Sequence, residues 1–190
     1  MKKHIITSVL YTGITAVLLG IGYPLVVTGL ARVLFPRQAN GSLIERNGVL
    51  VGSRLIGQPF DGPGYFWSRP SAAGSGYDAS NSSGSNYAPT NAALATRVAS
   101  SVQTLNPKGT NAPVPIDLVT ASASGLDPDI SPAAAYYQAA RVAAERHISE
   151  DAVRTLIAAH VTPRQFGLLG EPRVNVLELN LDLDAAAPGK

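Results

Sequence analysis

Apolar residues fill the chain from Ile5 to Phe35 almost without a break, and no Asp, Glu, Lys or Arg occurs across the 27 positions Ile5–Ala31. About 20 apolar residues suffice to cross the hydrocarbon core of a bilayer, so this run predicts one spanning helix with length to spare. Gly29 and Ala31 imitate the small-residue site of a cleaved signal peptide. The hydrophobic stretch of such a peptide is only about 7–15 residues, and the longer run here favours an uncleaved signal anchor. Lys2, Lys3 and the free amino terminus precede the run, and Arg32 and Arg37 follow it. That balance favours a cytoplasmic N-terminus and an extracytoplasmic body. Ser8, Thr12, Ala16, Gly20, Pro24 and Thr28 recur every fourth residue. Small residues at that spacing allow close helix–helix approach in a bilayer, although lone anchors also carry many of them. One span without a charge inside it forms no ion path, so any part in transport is played beside other chains.

The pattern changes abruptly after Phe35. Pro36-Arg37-Gln38 and the turn-like Asn40-Gly41-Ser42 follow with no loose polar linker. Two apolar runs flank Asn47-Gly48, the strongest short signal for a β-hairpin, and Leu55–Gln58 would prolong its second arm. Tyr65-Phe66-Trp67 is a short apolar run, read as core or as a recognition patch together with Arg69. Residues 71–91 are dense in Ser, Gly and Asn, which fits either a surface loop or a segment serving a site.

Three helices are expected next. One begins at Thr90 or Asn91 and runs to about Leu105, with Leu94, Val98, Val102 and Leu105 on one face, and Asn106–Gly109 ends it. Another starts at Ser131-Pro132, a capping hydroxyl before a proline at the first helical position, and is rich in alanine. A third starts at Ser149, with Glu150 and Asp151 in its first turn. From Arg173 to Leu183 apolar and polar residues alternate, with one slip at Val176-Leu177, which predicts a strand with a bulge. The sum is an α+β fold: an N-terminal transmembrane helix over residues 1–35, then one domain over 36–190 with a small antiparallel sheet and about three helices.

Charge adds little to this picture. The formal charge of +2 comes wholly from Lys2 and Lys3, and from His4 onward 13 basic residues balance 13 acidic ones. With no basic stripe, nucleic acid is not an expected partner. The absence of cysteine excludes disulfides, thiolate metal sites and cysteine nucleophiles. The three histidines lack zinc-ligand spacing, and no phosphate-cradling glycine loop of the Walker type occurs. Asp127 and Asp129 stand two apart in Gly125–Pro132, where a hard cation is one reading and turn chemistry the stronger. Ser124, Asp127 and the 71–91 loop are what an anchored extracytoplasmic hydrolase or binding protein would rest on, but Ser122-Ala-Ser124-Gly125 lacks the first glycine of a nucleophile elbow.

Several stretches are more specific than any of these motifs. They are Tyr23-Pro24-Leu25, FPRQANGSLI (35–44, with Asn40 and Gly41) and VGSRLIGQPF (51–60). YFWSRPSA (65–72, with Arg69, Pro70 and Ser71), SGSNYAPTN (83–91) and VPIDLVTASASGLDPDIS (114–131, with Asp117, Ser124, Gly125 and Asp127) follow. Gln138 with RVAAER (141–146), and RVNVLELNLDL (173–183), complete the set. On these the chain closely resembles the C subunits of the bacterial Kdp potassium-transporting ATPases. The resemblance implies a non-catalytic subunit of an ATP-driven, high-affinity potassium uptake complex in the inner membrane. Its implied partners are a channel-like potassium-translocating subunit, a P-type ATPase subunit and a very small membrane subunit. It further implies a periplasmic domain that acts as a catalytic chaperone raising the ATP affinity of the ATPase subunit. A glutamine is implicated in that role, and Gln138 is the matching position. No stably bound cofactor is implied, and ATP would be held through the partner ATPase subunit. The charge balance sits awkwardly with direct ATP contact, because it puts Gln138 on the side of the membrane away from ATP, and it favours an assembly or gating role in which the domain covers the extracellular entrance and holds the complex together.

Overall fold

The computed structural model describes residues 1–107, 109 and 112–186. The chain divides into two units, Met1–Val51 and Gly52–Lys190.

In the first unit, helix α1 (Lys2–Val17), a π-helical turn (Leu18–Gly22) and α2 (Tyr23–Leu34) run on as one helix of 33 residues. None of its residues is buried within the chain, and its length and composition are those of a membrane span. Proline causes the wide turn. Pro24 has no N–H to give to Gly20, and its ring would press on that carbonyl in a regular α-turn. The preceding turn opens instead, and the Tyr23 N–H reaches back to the Leu18 carbonyl. The helix ends at Leu34, two residues before Pro36, because the residue preceding a proline disfavours helical geometry. Phe35 accordingly sits at φ −136°, ψ 58°, and Pro36 opens a separate single turn, α3 (Pro36–Ala39). Strands β1 (Leu43–Arg46) and β2 (Val49–Ser53) then pair around Asn47 and Gly48, at φ 53° and 76°, as the Asn-Gly signal requires. The second arm does not continue to Gln58. The Ser53 hydroxyl accepts the Leu55 N–H at 3.1 Å, and the chain turns back so that Ile56 pairs with Ser53.

Among the described residues, the second unit holds a three-stranded antiparallel sheet and four α-helices. The strands β3 (Asp129–Ile130), β4 (Val161–Thr162) and β5 (Arg173–Asn175) lie in the order β3-β5-β4, with Ile130 and Val161 both opposite Val174. The helices are α4 (Ala92–Leu105), α5 (Pro132–Arg146), α6 (Glu150–His160) and α7 (Val176–Ala186). Helix α6 packs on both α5 and α7. Ala134, Ala135, Ala139 and Ala143 on the buried side of α5 let its backbone approach Val153, Ile157, Leu179 and Leu183 closely, with Phe66 filling the same core. The α+β class with a small antiparallel sheet is therefore the fold observed. Helix α4 is the least covered: Leu94, Val98 and Leu105 are half-buried and Val102 is exposed. Lys108, in the turn expected after it, lies outside the described residues.

The expected strand at 173–183 is corrected. Only Arg173–Asn175 is strand, and Val176 begins a helix. Alternating leucines satisfy a strand, but Val176, Leu179, Asn180 and Leu183 also satisfy the helical spacing i, i+3, i+4, i+7, and all four are buried, with Leu177 beside them. The cap decides between the two. The Asn175 carboxamide oxygen accepts the Glu178 N–H at 3.1 Å, and Asn-x-x-Glu is a helix-start signature. The slip at Val176-Leu177 is thus a strand-to-helix junction rather than a bulge.

The other helix starts fall where capping side chains put them. Asn91 accepts from Ala93 N–H at 2.8 Å, Ser131 from Ala134 N–H at 3.0 Å and Ser149 from Ala152 N–H at 3.2 Å. Ser131→Ala is expected to lower stability by about 1 kcal/mol, the usual worth of such a cap. Denaturant midpoints of the full chain in detergent measure it, and an unchanged midpoint would show that the Ser131 hydroxyl contributes nothing.

Candidate functional site

Residues 66–72 have no regular secondary structure, yet Phe66 is fully buried. Buried backbone outside a helix or sheet must find other hydrogen-bond partners. Two carboxamides supply them. Asn180 of α7 accepts the Phe66 N–H at 2.8 Å and donates to the Phe66 carbonyl at 3.0 Å. Gln138 of α5 does the same for the next residue, accepting the Trp67 N–H at 2.8 Å and donating to the Trp67 carbonyl at 3.1 Å. Each amide imitates a neighbouring strand across one residue. Both side chains are almost inaccessible, at 2% for Gln138 and 1% for Asn180.

Two arginines of α5 hold the stretch just before this clamp. Arg141 lies 3.9 Å over the Trp67 ring and donates to the Tyr65 carbonyl at 3.0 Å, to the Pro63 carbonyl and to Gln138 Oε1 at 2.7 Å. Burial brings its guanidinium down to about 10. It remains charged at neutral pH, and stacking on indole favours the cation. Arg146 lies 4.5 Å over the Tyr65 ring, donates to the Gly64 carbonyl at 2.8 Å and pairs with Asp184 at 2.7 Å. The apolar run Tyr65–Trp67 is therefore neither wholly core nor wholly a recognition patch: Phe66 is buried, and its two neighbours are half-buried under arginines.

The chain leaving the clamp packs on residues 121–127. Arg69 pairs with Asp127 at 2.9 Å and reaches the Ala121 carbonyl at 3.4 Å. The Ser71 hydroxyl donates to the Gly125 carbonyl at 2.6 Å and accepts the N–H groups of Ala73 and Tyr77. Ser82 and Ser83 donate to the carbonyls of Ser124 and Ala72. The serine-rich stretch is thus built onto the body through about residue 84. Tyr77 donates to the Arg69 carbonyl, and burial raises its hydroxyl pKa. Pro59, Asp61, Trp67, Arg69, Pro70 and Tyr77 border an open cleft of about 390 Å³.

The remaining expected residues fall apart from this cluster. The Asp117 carboxylate accepts the Ser131 N–H at 2.7 Å, joining the short 3-10 turn Ile116–Leu118 to the start of α5. Asn40 donates to the Pro36 carbonyl at 2.8 Å and closes α3, and Gly41 follows at φ 84°. Ser8, Thr12, Ala16, Gly20 and Pro24 are exposed along the long helix. Ser124 accepts the Leu126 N–H at 3.1 Å, while His160 bonds Asp182 at 2.9 Å and His147 caps α5 in the left-handed region. These pairings do not bring Ser124, a histidine and Asp127 into a hydrolytic triad. Asp127 is tied to Arg69 and to the Asp129 N–H, and Asp129 to Arg173 and Asn175. Burial raises the Asp129 carboxyl. Among the described residues no group of three or more His, Cys, Asp or Glu is placed to hold a metal ion.

Sequence reasoning missed Asn180, Arg141 and Arg146. A helical reading of the leucine run would have found Asn180, the polar residue at a core-facing position.

Known proteins match this sequence over nearly the whole chain. The family model for KdpC, the c chain of the K+-transporting ATPase, matches residues 5–185. The potassium-transporting ATPase KdpC subunit of Acidobacterium capsulatum is 66% identical over 182 residues, covering 96% of this chain and 98% of its own. The subunit of the same name from Koribacter versatilis is 60% identical over 188 residues, covering 99% and 97%, and that from Burkholderia vietnamiensis is 57% identical over 192, covering all of both. The residues quoted above as a resemblance thus lie within a match that includes the anchor-like helix, the clamp and α7, and the chain belongs to the KdpC family, the c chain of the K+-transporting ATPase.

Proposed function

We propose that the chain is the non-catalytic subunit of an ATP-driven potassium uptake complex. Its N-terminal helix anchors it in the bacterial inner membrane, with the N-terminus in the cytoplasm and residues 36–190 in the periplasm. It assembles with a channel-like potassium-translocating subunit, a P-type ATPase subunit and a very small membrane subunit. ATP is bound and hydrolysed by the ATPase subunit, whose affinity for ATP this chain raises as a catalytic chaperone. The match to the c chain across residues 5–185 carries this reading. Supporting it, the long apolar helix has no Asp, Glu, Lys or Arg between Ile5 and Ala31 to make an ion path of its own.

Gln138 enters the proposal as a positioning residue. Both ends of its amide are spent on Trp67, so its effect on ATP affinity runs through the shape of the 63–72 segment. Purification of the tagged chain in mild detergent, from cells expressing all the subunits, is expected to recover the ATPase and translocating subunits. A lone monomer, with normal potassium uptake in a strain deleted for it, overturns the reading. A reporter fused after Lys190, which lies outside the described residues, is expected to report the periplasm. In the recovered complex, Gln138→Ala and Asn180→Ala should raise the KM for ATP alike, because both release the same segment. A rise with Gln138→Ala alone would show direct nucleotide contact instead.

A further inference from the structure

The side-chain donors on the wall of the cleft at Trp67 and Tyr77 are already engaged. The Trp67 indole N–H donates to the Gly62 carbonyl at 3.0 Å, and the Tyr77 hydroxyl donates to the Arg69 carbonyl. The Arg69 guanidinium holds Asp127 and the Ala121 carbonyl. The hydroxyls of Ser71 and Thr104 donate to the carbonyls of Gly125 and Ser100, at 2.6 and 3.1 Å. Ser68 Oγ and Arg69 Nε are themselves buried. An anion entering the cleft would need donors, and these are taken.

Asp61 is the opposite case. Its side chain borders the same cleft and is exposed, and among the described residues it has no hydrogen-bond or ion-pair partner. An ionised carboxylate offers acceptors only. Its charge reaches the Tyr77 hydroxyl and adds to the rise of that pKa. Three aromatic side chains, Phe60, Trp67 and Tyr77, share the wall with it. An aromatic face attracts a cation, and Trp67 already carries one, the Arg141 guanidinium 3.9 Å from its ring centre. Among the described residues Arg69 is the one cation bordering the cleft, and Asp127 neutralises it at 2.9 Å.

We propose that this cleft binds a small organic cation carrying a quaternary ammonium group, with Asp61 as counter-ion and Phe60, Trp67 and Tyr77 as an aromatic wall. Its volume of about 390 Å³ is that of a small-molecule site. Methyl groups on the nitrogen would lie against the rings, and the positive charge would face the carboxylate. A bare potassium ion fits this lining less well, because it asks for a shell of oxygens rather than rings.

Trp67 is the sole tryptophan of the chain, so its fluorescence reads the cleft directly. The test titrates choline into the full chain in a maltoside detergent at constant ionic strength. A saturable change in Trp67 emission is expected, with calorimetry giving the same Kd. The uncharged isostere, with a tert-butyl group in place of trimethylammonium, should bind about tenfold or more weakly. Asp61→Asn should weaken choline binding about tenfold and Phe60→Leu about threefold. The unfolding midpoint of Asp61→Asn should stay where it is, because the carboxylate has no partner to lose. The absence of a saturable change, equal binding of the uncharged isostere, or unaltered affinity in a folded Asp61→Asn variant each overturns the proposal. So does displacement of choline by potassium chloride where sodium chloride has no effect. A response to phosphatidylcholine vesicles with none to free choline overturns it too, by making a lipid headgroup the ligand.

Discussion

Gln138→Ala is expected to lower the stability of the chain by about 3 kcal/mol, well beyond what a surface glutamine would cost. The variant strips the partner from both the Trp67 N–H and the Trp67 carbonyl and removes one acceptor of Arg141. A buried backbone group left unpaired costs about 1–3 kcal/mol. Asn180→Ala should cost about as much, because Phe66 loses the same two partners. The double variant should cost less than the sum, since releasing either of two adjacent residues loosens the other. Denaturant midpoints of the full chain in detergent, at constant slope, measure all three. A loss below about 1 kcal/mol for Gln138→Ala would mean that water replaces the amide and that the clamp is not a principal support of the fold.

Gly125→Ala is expected to cost about 3–4 kcal/mol, adding left-handed strain to a clash that backbone cannot relieve. Gly125 sits at φ 67° and is buried between two segments. A Cβ there would lie 2.7 Å from the Ala73 nitrogen, 2.7 Å from the Ser83 oxygen and 2.8 Å from the Ala73 Cβ. The serine-rich stretch would have to lift away, giving up the Ser71 bond to the Gly125 carbonyl. Faster proteolysis within residues 74–83 should therefore accompany the lower midpoint. Gly41→Ala is the control: its φ of 84° brings the conformational cost, but nothing lies within 4 Å of the added carbon. Equal losses for the two variants would show that the packing of 71–84 on 121–127 contributes no stability.

Local signals carried much of this fold. Asn47-Gly48, Ser131-Pro132 and Ser149-Glu150 each determine their structure through a hydrogen bond or a backbone preference within about four residues, and each is legible in isolation. The leucine run at 177–183 is ambiguous in sequence, because a repeat of two also populates one helix face. What separates the readings is the Asn175 side chain, which reaches Glu178 and also the Arg54 carbonyl. The clamp was only half legible. Gln138 came forward through resemblance, but its partner Trp67 is 71 residues away, and Asn180 meets Phe66 across 114. No periodicity encodes contacts at that separation. The serine-rich segment likewise stays open in sequence between a surface loop and a segment serving a site, because serine and glycine say little about order until the carbonyls they bond are known.

The wide turn ahead of Pro24 also sets the angular phase of the small residues on the long helix. At about 100° per residue, a repeat of four slides about 40° per step, or about 200° from Ser8 to Thr28, carrying it to the far side of a regular helix. The π-helical turn Leu18–Gly22 takes up about one extra residue and so sets the far half back by about 100°. The stripe then winds through little more than a quarter turn over its length of about 30 Å. By distorting one turn, Pro24 straightens into a seam a pattern whose period does not match the helix that carries it.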